Sequence, residues 1–494
     1  MYIVQIASEC APVIKAGGLG DVVYGLSREL SKRGHEVELI LPKYNNMRYD
    51  YIQEPDEAYR DLLVPWDGGM INCSVMYGKV EEQNCFFIDP QNSFFNRGHY
   101  YGSNDDALRF AFFSKAALEF LLHTKKRPDI IHCHDWQTGL VPVLLFEVYQ
   151  EGMSYQRVAY SIHNFKHQGY APVKLLSEAG LNAGELFRED RLMAQNKKEI
   201  NLMKGGIVYS NAVNTVSPHY AWEARHTSEG YGLGDTLNAH QAKFKGILNG
   251  IDDRIWNPKV DTHIPVNYDI ANFALKAKNK KALRERLWLR DPDEPTPRPI
   301  IAYIGRLDDQ KGVHLVHHSM YYALERGAQF VLLGSPTGDK IRGWFQGEKN
   351  KLNDNPDVHL ELSFNEELSH LIYAGADMMV VPSNYEPCGL TQMISLKYGT
   401  VPIVRSVGGL KNTVFDIDND TDHPVEERNG YVFEHPNPPG LESALRRALD
   451  CWYMHRDSFD KLAKQGMKYD YSWKHPADEY LEVYDNIRHK IVEE

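Results

Sequence analysis

The chain has 494 residues, more than a single hydrophobic core ordinarily holds, so it divides into at least two domains. Hydrophobic residues make up 43% and charged residues 25%, the balance of a soluble globular protein, and no apolar run reaches the ~20 residues that span a bilayer. A formal charge of −12 disfavours nucleic acid as a partner, so an anionic ligand should be small and met by a few well-placed cations.

Met1–Ile6 enters a strand-like segment at once, without the marks of a signal or transit peptide. Cys10, Cys73, Cys85, Cys133, Cys388 and Cys451 are scattered, with no CxxC pair. That argues against a disulfide framework and a zinc module, and the expected home is a reducing cytoplasm.

Tyr2–Ile6 reads as a buried first strand, and Lys15-Ala16-Gly17-Gly18-Leu19-Gly20 leads from it to a helix. Asp21 is expected to cap that helix, Val22, Val23, Leu26 and Leu30 fall at its spacing, and Gly34 stops it. Glu36–Leu41, Asp129–Cys133, Val158–Ile162 and Ala212–Val216 follow as short buried strands. A second series runs through Ile300–Ile304, Phe330–Leu333, Val358–Leu362, Met378–Val381 and Pro402–Val404, with helices at Glu366–Ala374 and Leu390–Tyr398. Strands alternating with helices predict an α/β fold with parallel sheets, and two doubly wound domains fit two such series. Turn-forming residues at Leu248–Asp252 mark the join, giving domains at 1–248 and 249–475. Asp291–Pro299 is expected to be a Pro-rich loop and Asp416–Glu427 a solvated acidic one.

The chemistry gathers at predicted strand ends. Around Lys15 and Gly18 the glycines allow a ligand close to the backbone, and a helix N-terminus offers free amides, although an ordinary turn looks the same. Arg306 and Lys311, in Gly305–Gly312, lie where ligands bind in parallel sheets. A guanidinium fork and an ammonium there suit a diphosphate, though solvated loop cations are the plainer alternative. Pro382–Gln392 is the most specific string: amides near Gly389, Leu390 and Thr391 can meet phosphate, and Glu386 can hold sugar hydroxyls. A capping role for Glu386 competes. Asp135 and Trp136, after Ile131–His134, read as a carboxylate and a stacking platform, with Trp136 as core filler the alternative. His132 and His134 share one face of a strand, but no second ligand cluster supports a metal. His163 also falls at a strand end, where a structural role is the commoner fate of a lone histidine.

Taken together, these strings resemble the bacterial-type glycogen and starch synthase family of retaining GT-B glycosyltransferases. The match includes Lys15–Val22, His134–Gly139, Ile162–Gly169, Leu248–Asp252, Gly305–Gly312, Glu386–Gln392 and Val407–Val414, in the family's order. The resemblance implies GT-B architecture: two Rossmann-like domains facing each other across a cleft, with a terminal helix at 476–494 crossing back to the first. It implies transfer of glucose from a nucleotide sugar, ADP-glucose by preference, to the non-reducing end of an α-1,4-glucan with retention. The nucleotide sugar would be a co-substrate, with no cofactor, metal or membrane partner. Lys15, Arg306 and Lys311 would meet the diphosphate, with Gly18, Leu390 and Thr391 in close backbone contact. Glu386 would hold the donor glucose and His163 lie beside its anomeric carbon, while Asp135, Trp136, Asn164 and Asn249 line the glucose and acceptor side. Gln137 stands where a histidine is common, and Met393-Ile394 occupy the place of a second glutamate found in many retaining relatives. A GT-B enzyme with a small acceptor, a silent carbohydrate binder and, more distantly, a nucleotide-sugar epimerase remain as alternatives.

Overall fold

The computed structural model describes residues 1–291 and 298–488. Most of the predicted Pro-rich loop and the end of the predicted terminal helix therefore lie outside the described residues. Two compact units emerge: Met1–Gly250 with the segment from Trp473 onward, and Ile251–Ser472.

The strands of the first unit are β1 (Tyr2–Ile6), β2 (Glu36–Pro42), β3 (Ile52–Trp66), β4 (Gly69–Val80), β5 (Gln83–Pro90), β6 (Ile130–His134), β7 (Arg157–Ile162), β8 (Tyr170–Pro172), β9 (Glu199–Asn201), β10 (Ala212–Thr215) and β11 (Phe244–Gly246). Nine of them form one sheet in the order β11-β10-β7-β6-β1-β2-β5-β4-β3, while β8 and β9 pair separately. The sheet is parallel from β11 to β5, and β3 and β4 extend it as an antiparallel edge. That edge is absent from the predicted elements. Half of β3 is exposed, mostly through polar residues, with register shifts between Gln53 and Leu62, so it shows no apolar period. The available cue was Asp67-Gly68, whose positive φ values of 48° and 72° suit the two-residue turn joining β3 to β4.

The first helix runs from Gly18 to Lys32 and is capped at Gly17, not at Asp21, which lies in its first turn. Its apolar stripe, Val22, Leu26 and Leu30, joins Ile3, Val37 and Ile130 in a buried cluster. Trp473, Ala477, Tyr480, Tyr484 and Ile487 complete that cluster, so the helix Lys474–Arg488 is part of the first unit's core. Gly25 is where this segment docks: a Cβ there would lie 2.1 Å from Trp473 Nε1.

The second unit holds β12 (Ile300–Leu307), β13 (Gln329–Pro336), β14 (Val358–Glu361), β15 (Met378–Val381), β16 (Val401–Arg405) and β17 (Tyr431–Phe433). All pair in parallel, in the order β14-β13-β12-β15-β16-β17. Counted within the unit this is 3-2-1-4-5-6, the doubly wound order whose strand sequence reverses between the first and fourth strands. The core carries Ile301, Phe330, Leu332, Val380 and Ile403 at 0% exposure, with helices such as Val313–Glu325 and Pro438–Met454 packed over it. The acidic segment Asp416–Glu427 is the expected solvated loop over most of its length, and Asp416, at its start, is the exception. Asp416 is 5% exposed and bound to Arg447 at 2.8 Å, because its carboxylate also accepts the Val432 amide.

Gly25→Ala should lower the thermal midpoint of the first unit, with a cost of about 1–3 kcal/mol from overpacking against the Trp473 indole. Differential scanning calorimetry of the full chain checks this, and an unchanged profile would mean that Trp473 does not dock there.

Candidate active site

In the second unit the strand order reverses between β12 and β15, and the two candidate phosphate and sugar motifs emerge there. Arg306 lies near the end of β12, its guanidinium 3.0 Å from Asp308 and 3.3 Å from Gln310 Oε1, with 56% of its side chain exposed. Lys311 Nζ donates to Glu386 Oε2 at 2.6 Å, and the Ser383 hydroxyl donates to the same oxygen at 2.8 Å. Glu386 is only 5% exposed, so it sits buried but compensated by an ammonium and a hydroxyl. Both bonds fall on Oε2, leaving Oε1 outside them.

These motifs are fastened to each other through their backbones. Asn384 N donates to Gln310 O at 2.8 Å and its side-chain amide donates to Asp309 O at 2.6 Å. Gly312, at φ 69°, passes so close to Pro382 that a Cβ would stand 2.2 Å from its carbonyl oxygen. Gly408, at φ 46°, leaves 1.9 Å between such a Cβ and Glu386 O, and Gly409 N donates to that carbonyl at 3.0 Å. The strings around Lys311, Glu386 and Val407 therefore form one body. The helix Thr391–Lys397 follows with no side-chain cap, so amides from Leu390 and Thr391 onward lack intrahelical acceptors.

In the first unit the reversal falls between β1 and β6. Parallel pairing of β6 with β7 sets His134 opposite Ser161, which brings Asp135 and His163 together just beyond the strands. Asp135 accepts the His163 amide at 2.7 Å and holds φ 57°, ψ −178°. A non-glycine residue in that region costs roughly 1–3 kcal/mol, strain that concentrates at functional sites. Burial pushes the Asp135 carboxyl up to about 7, against the opposing pull of the His163 and Asn164 amides. Burial likewise holds His163 down at about 3. Its Nε2 lies 3.0 Å from His134 Nδ1.

Lys15 pairs with Asp21 at 2.8 Å and stays well exposed. Gly18 opens the first helix, and a Cβ there would meet nothing within 4 Å, so no internal packing demands glycine at that position. Trp136 meets Phe110 edge-on at 5.5 Å, and its ring closes over Gly169, so much of it serves as packing. Asn164 Oδ1 accepts from the Lys166 amide at 2.9 Å. Asn249 is 5% exposed, with Oδ1 buried and without a partner.

Glu9 and Tyr101 were not singled out from the sequence. Glu9 Oε2 accepts the Ala16 and Gly17 amides at 2.7 and 3.0 Å, and Oε1 accepts the Tyr101 hydroxyl at 2.6 Å. A carboxylate three residues beyond the first strand was the available signal. His132 and His134 are not set out as metal ligands: their ring centroids lie 4.2 Å apart at a 33° tilt and their nitrogens meet protein partners. Among the described residues no group of His, Cys, Asp or Glu could hold a metal ion.

Residues 2–239 match the family model for the starch synthase catalytic domain, and residues 285–466 match the model for glycosyl transferases group 1. Over 495 residues the chain is 65% identical to glycogen synthase 1 of Synechococcus sp. strain JA-3-3Ab, covering 99% of this chain and 100% of that one. This chain belongs to the glycogen and starch synthase family. The catalytic domain of starch synthase IV from Arabidopsis thaliana, bound to ADP and acarbose, superposes with a TM-score of 0.94 at 43% identity, covering 99% of both chains. The sucrose-phosphate synthase of Thermosynechococcus elongatus shares the fold, with a TM-score of 0.60 at 18% identity over 99% of both chains. The family's fold is GT-B, and its members are glucosyltransferases.

The buried groups at β6 and β7 predict a pH signature. Unfolding frees Asp135 to its ordinary range, so its raised value favours the folded state most in acid and less as pH rises towards about 7. His132 and His163, both held near 3, act oppositely: below about 6.5 the unfolded chain takes up protons that the folded one refuses. Asp135→Asn should therefore steepen the loss of stability between pH 6.5 and 4, as measured by urea unfolding across that range.

Proposed function

We propose that this chain transfers glucose from a nucleotide sugar, with ADP-glucose as the preferred donor, to the 4-hydroxyl at the non-reducing end of an α-1,4-glucan, retaining the α configuration. The observation that carries this is the fastened cluster of Arg306, Lys311 and Glu386 at the strand-order reversal of the second unit. Two cations of different geometry suit a diphosphate, and a buried glutamate with one unengaged oxygen suits sugar hydroxyls. That the Arabidopsis starch synthase IV domain was solved with ADP and acarbose supports an adenine donor and a glucan-like acceptor.

In this mechanism the bond from C1 to the phosphate oxygen breaks, and negative charge grows on the departing diphosphate. Arg306, Lys311, Lys15 and the amides at Leu390 and Thr391 stabilise that charge. The acceptor 4-oxygen forms its new bond to C1 on the same face, and its proton passes to the departing phosphate. Lys311 then has two partners in turn: Glu386 in the free protein and phosphate with donor bound. Asp135 and His163 serve the glucose, while Trp136, Asn164 and Asn249 belong to the acceptor side. The nucleotide sugar is consumed as a co-substrate.

A cytoplasmic setting suits the six free cysteines, and no helix among the described residues is long and apolar enough to cross a membrane.

Incorporation of labelled glucose into glycogen, with ADP-glucose and UDP-glucose compared in the presence and absence of divalent metal, tests the proposal. Transfer from ADP-glucose in excess of UDP-glucose is expected; a folded protein that uses neither overturns it. Glu386→Ala should lower kcat/KM by at least about 10²-fold with an unchanged circular dichroism spectrum. Near-normal turnover would remove Glu386 from its role.

A further inference from the structure

Two of the cations assigned to the donor diphosphate are held by one carboxylate that the mechanism above does not use. Asp308 lies between them in the chain, two residues after Arg306 and three before Lys311. Its Oδ1 accepts the Lys311 backbone amide at 2.9 Å, and its Oδ2 meets Arg306 Nη1 at 3.0 Å. Its carbonyl also accepts the Val313 amide at 3.3 Å, where the chain enters the helix Val313–Glu325. The Asp308 side chain is 16% exposed and that of Arg306 56%, so the anchor is the better enclosed of the two.

The backbone that carries Arg306 is pinned independently of its side chain. Parallel pairing sets Arg306 opposite Ser335, the Tyr303 hydroxyl donates to Arg306 O, and Leu307 O accepts the Thr337 amide at 3.1 Å. What remains is the rotation of a long, exposed side chain. Asp308 Oδ2 takes up Nη1 at 3.0 Å and Gln310 Oε1 takes up Nη2 at 3.3 Å. A guanidinium has five N–H donors, and these two contacts use two of them. Nε–H and one hydrogen on each Nη are left over, so Arg306 can meet phosphate without leaving Asp308. Lys311 differs: its ammonium rests on Glu386, and Asp308 governs only the backbone from which that side chain starts.

We propose that Asp308 is a positioning residue that holds the Arg306 guanidinium in one orientation before the donor arrives and keeps hold of it afterwards, while fixing the start of the Lys311 side chain. By charge alone Asp308 would oppose a phosphate beside it. That charge is spent on the guanidinium 3.0 Å away, and the restraint removes rotamer freedom that an exposed arginine would otherwise lose on binding. Orientation outweighs repulsion, and loss of Asp308 weakens diphosphate binding. The consequence for binding rests on the diphosphate role proposed for Arg306; the restraint itself does not.

Asp308→Asn separates the two arms. Its one amide oxygen keeps the Lys311 amide, and its amide nitrogen offers Arg306 a donor in place of an acceptor. Nitrogen-15 NMR of the arginine-labelled full chain reads the restraint without ligand, with the Arg306 signals assigned by their loss in Arg306→Lys. The Arg306 Nη signals should be resolved by hindered rotation in the wild type and averaged in Asp308→Asn. Isothermal titration with ADP should show a Kd about tenfold weaker in Asp308→Asn. The same substitution made in Arg306→Ala should change that Kd less than about twofold, which a general structural loss would not do. If Asp308→Asn does not fold, Asp308→Ser carries the same comparison, since its hydroxyl can take the Lys311 amide and offers no second oxygen to Arg306. An averaged guanidinium in the wild type, or signals unaltered in the variant, overturns the proposal. So does ADP binding that is unchanged or tighter in the variant, or weakened equally in both backgrounds. A wild type whose guanidinium is restrained, and released by Asp308→Asn, but which binds no ADP would uphold the restraint while counting against the diphosphate reading.

Discussion

A parallel strand covered on both faces is largely apolar and holds a polar side chain only where a buried partner completes it, because neither side of the sheet offers water to a charge. The polar chemistry of this chain is accordingly concentrated where strands stop. Asp135 and His163 follow β6 and β7, Arg306 sits near the end of β12, and Glu386 lies in the loop after β15. In each sheet these ends flank the place where strand order reverses, so that successive connections diverge and leave room for a ligand. Burial of the strands is what places the cations and carboxylates.

Room alone does not hold Glu386 and Lys311 in register. The second unit achieves that by backbone contact, which is stiffer than contact between long side chains. Gly312 and Gly408 carry positive φ and stand where any Cβ would strike a carbonyl of the Pro382–Gly389 loop. Two of the strings that look independent in the sequence are thus the inner surface on which the third is built. With a buried carboxylate at its centre, the assembly would be costly without the Lys311 ammonium 2.6 Å away.

The first unit uses a different device. His132 and His134 interrupt the apolar rule inside β6, and each is tolerated because its nitrogens meet buried partners. The tyrosines that help satisfy this network come from a helix more than two hundred residues further along the chain. That helix is consequently part of the core on which the β6 and β7 ends rest, and the strain at Asp135 is held by structure that surrounds it on several sides.

The amino-acid order alone marked most of the parallel strands of both series, to within a residue or two at most ends, because their apolar runs and turn residues follow from local chemistry, but it left out β5, β11 and β17. It also displayed the strings that carry Lys15, Asp135, His163, Arg306, Lys311 and Glu386. It did not reveal the β3–β4 edge, since an exposed, bulged strand has no apolar period to read. Nor did it mark Asp21 as a first-turn residue rather than a cap, which depends on where the backbone first turns helical. Only the tertiary structure decided that Glu9 ties the Gly17 loop to Tyr101, that Trp136 is largely packing, and that Asp416 is buried against Arg447. It also decided which buried partners take up the ring nitrogens of His132 and His134. The reason is common to all of these. A side chain's role depends on partners distant in sequence, and a buried polar atom is defined by which partner completes it.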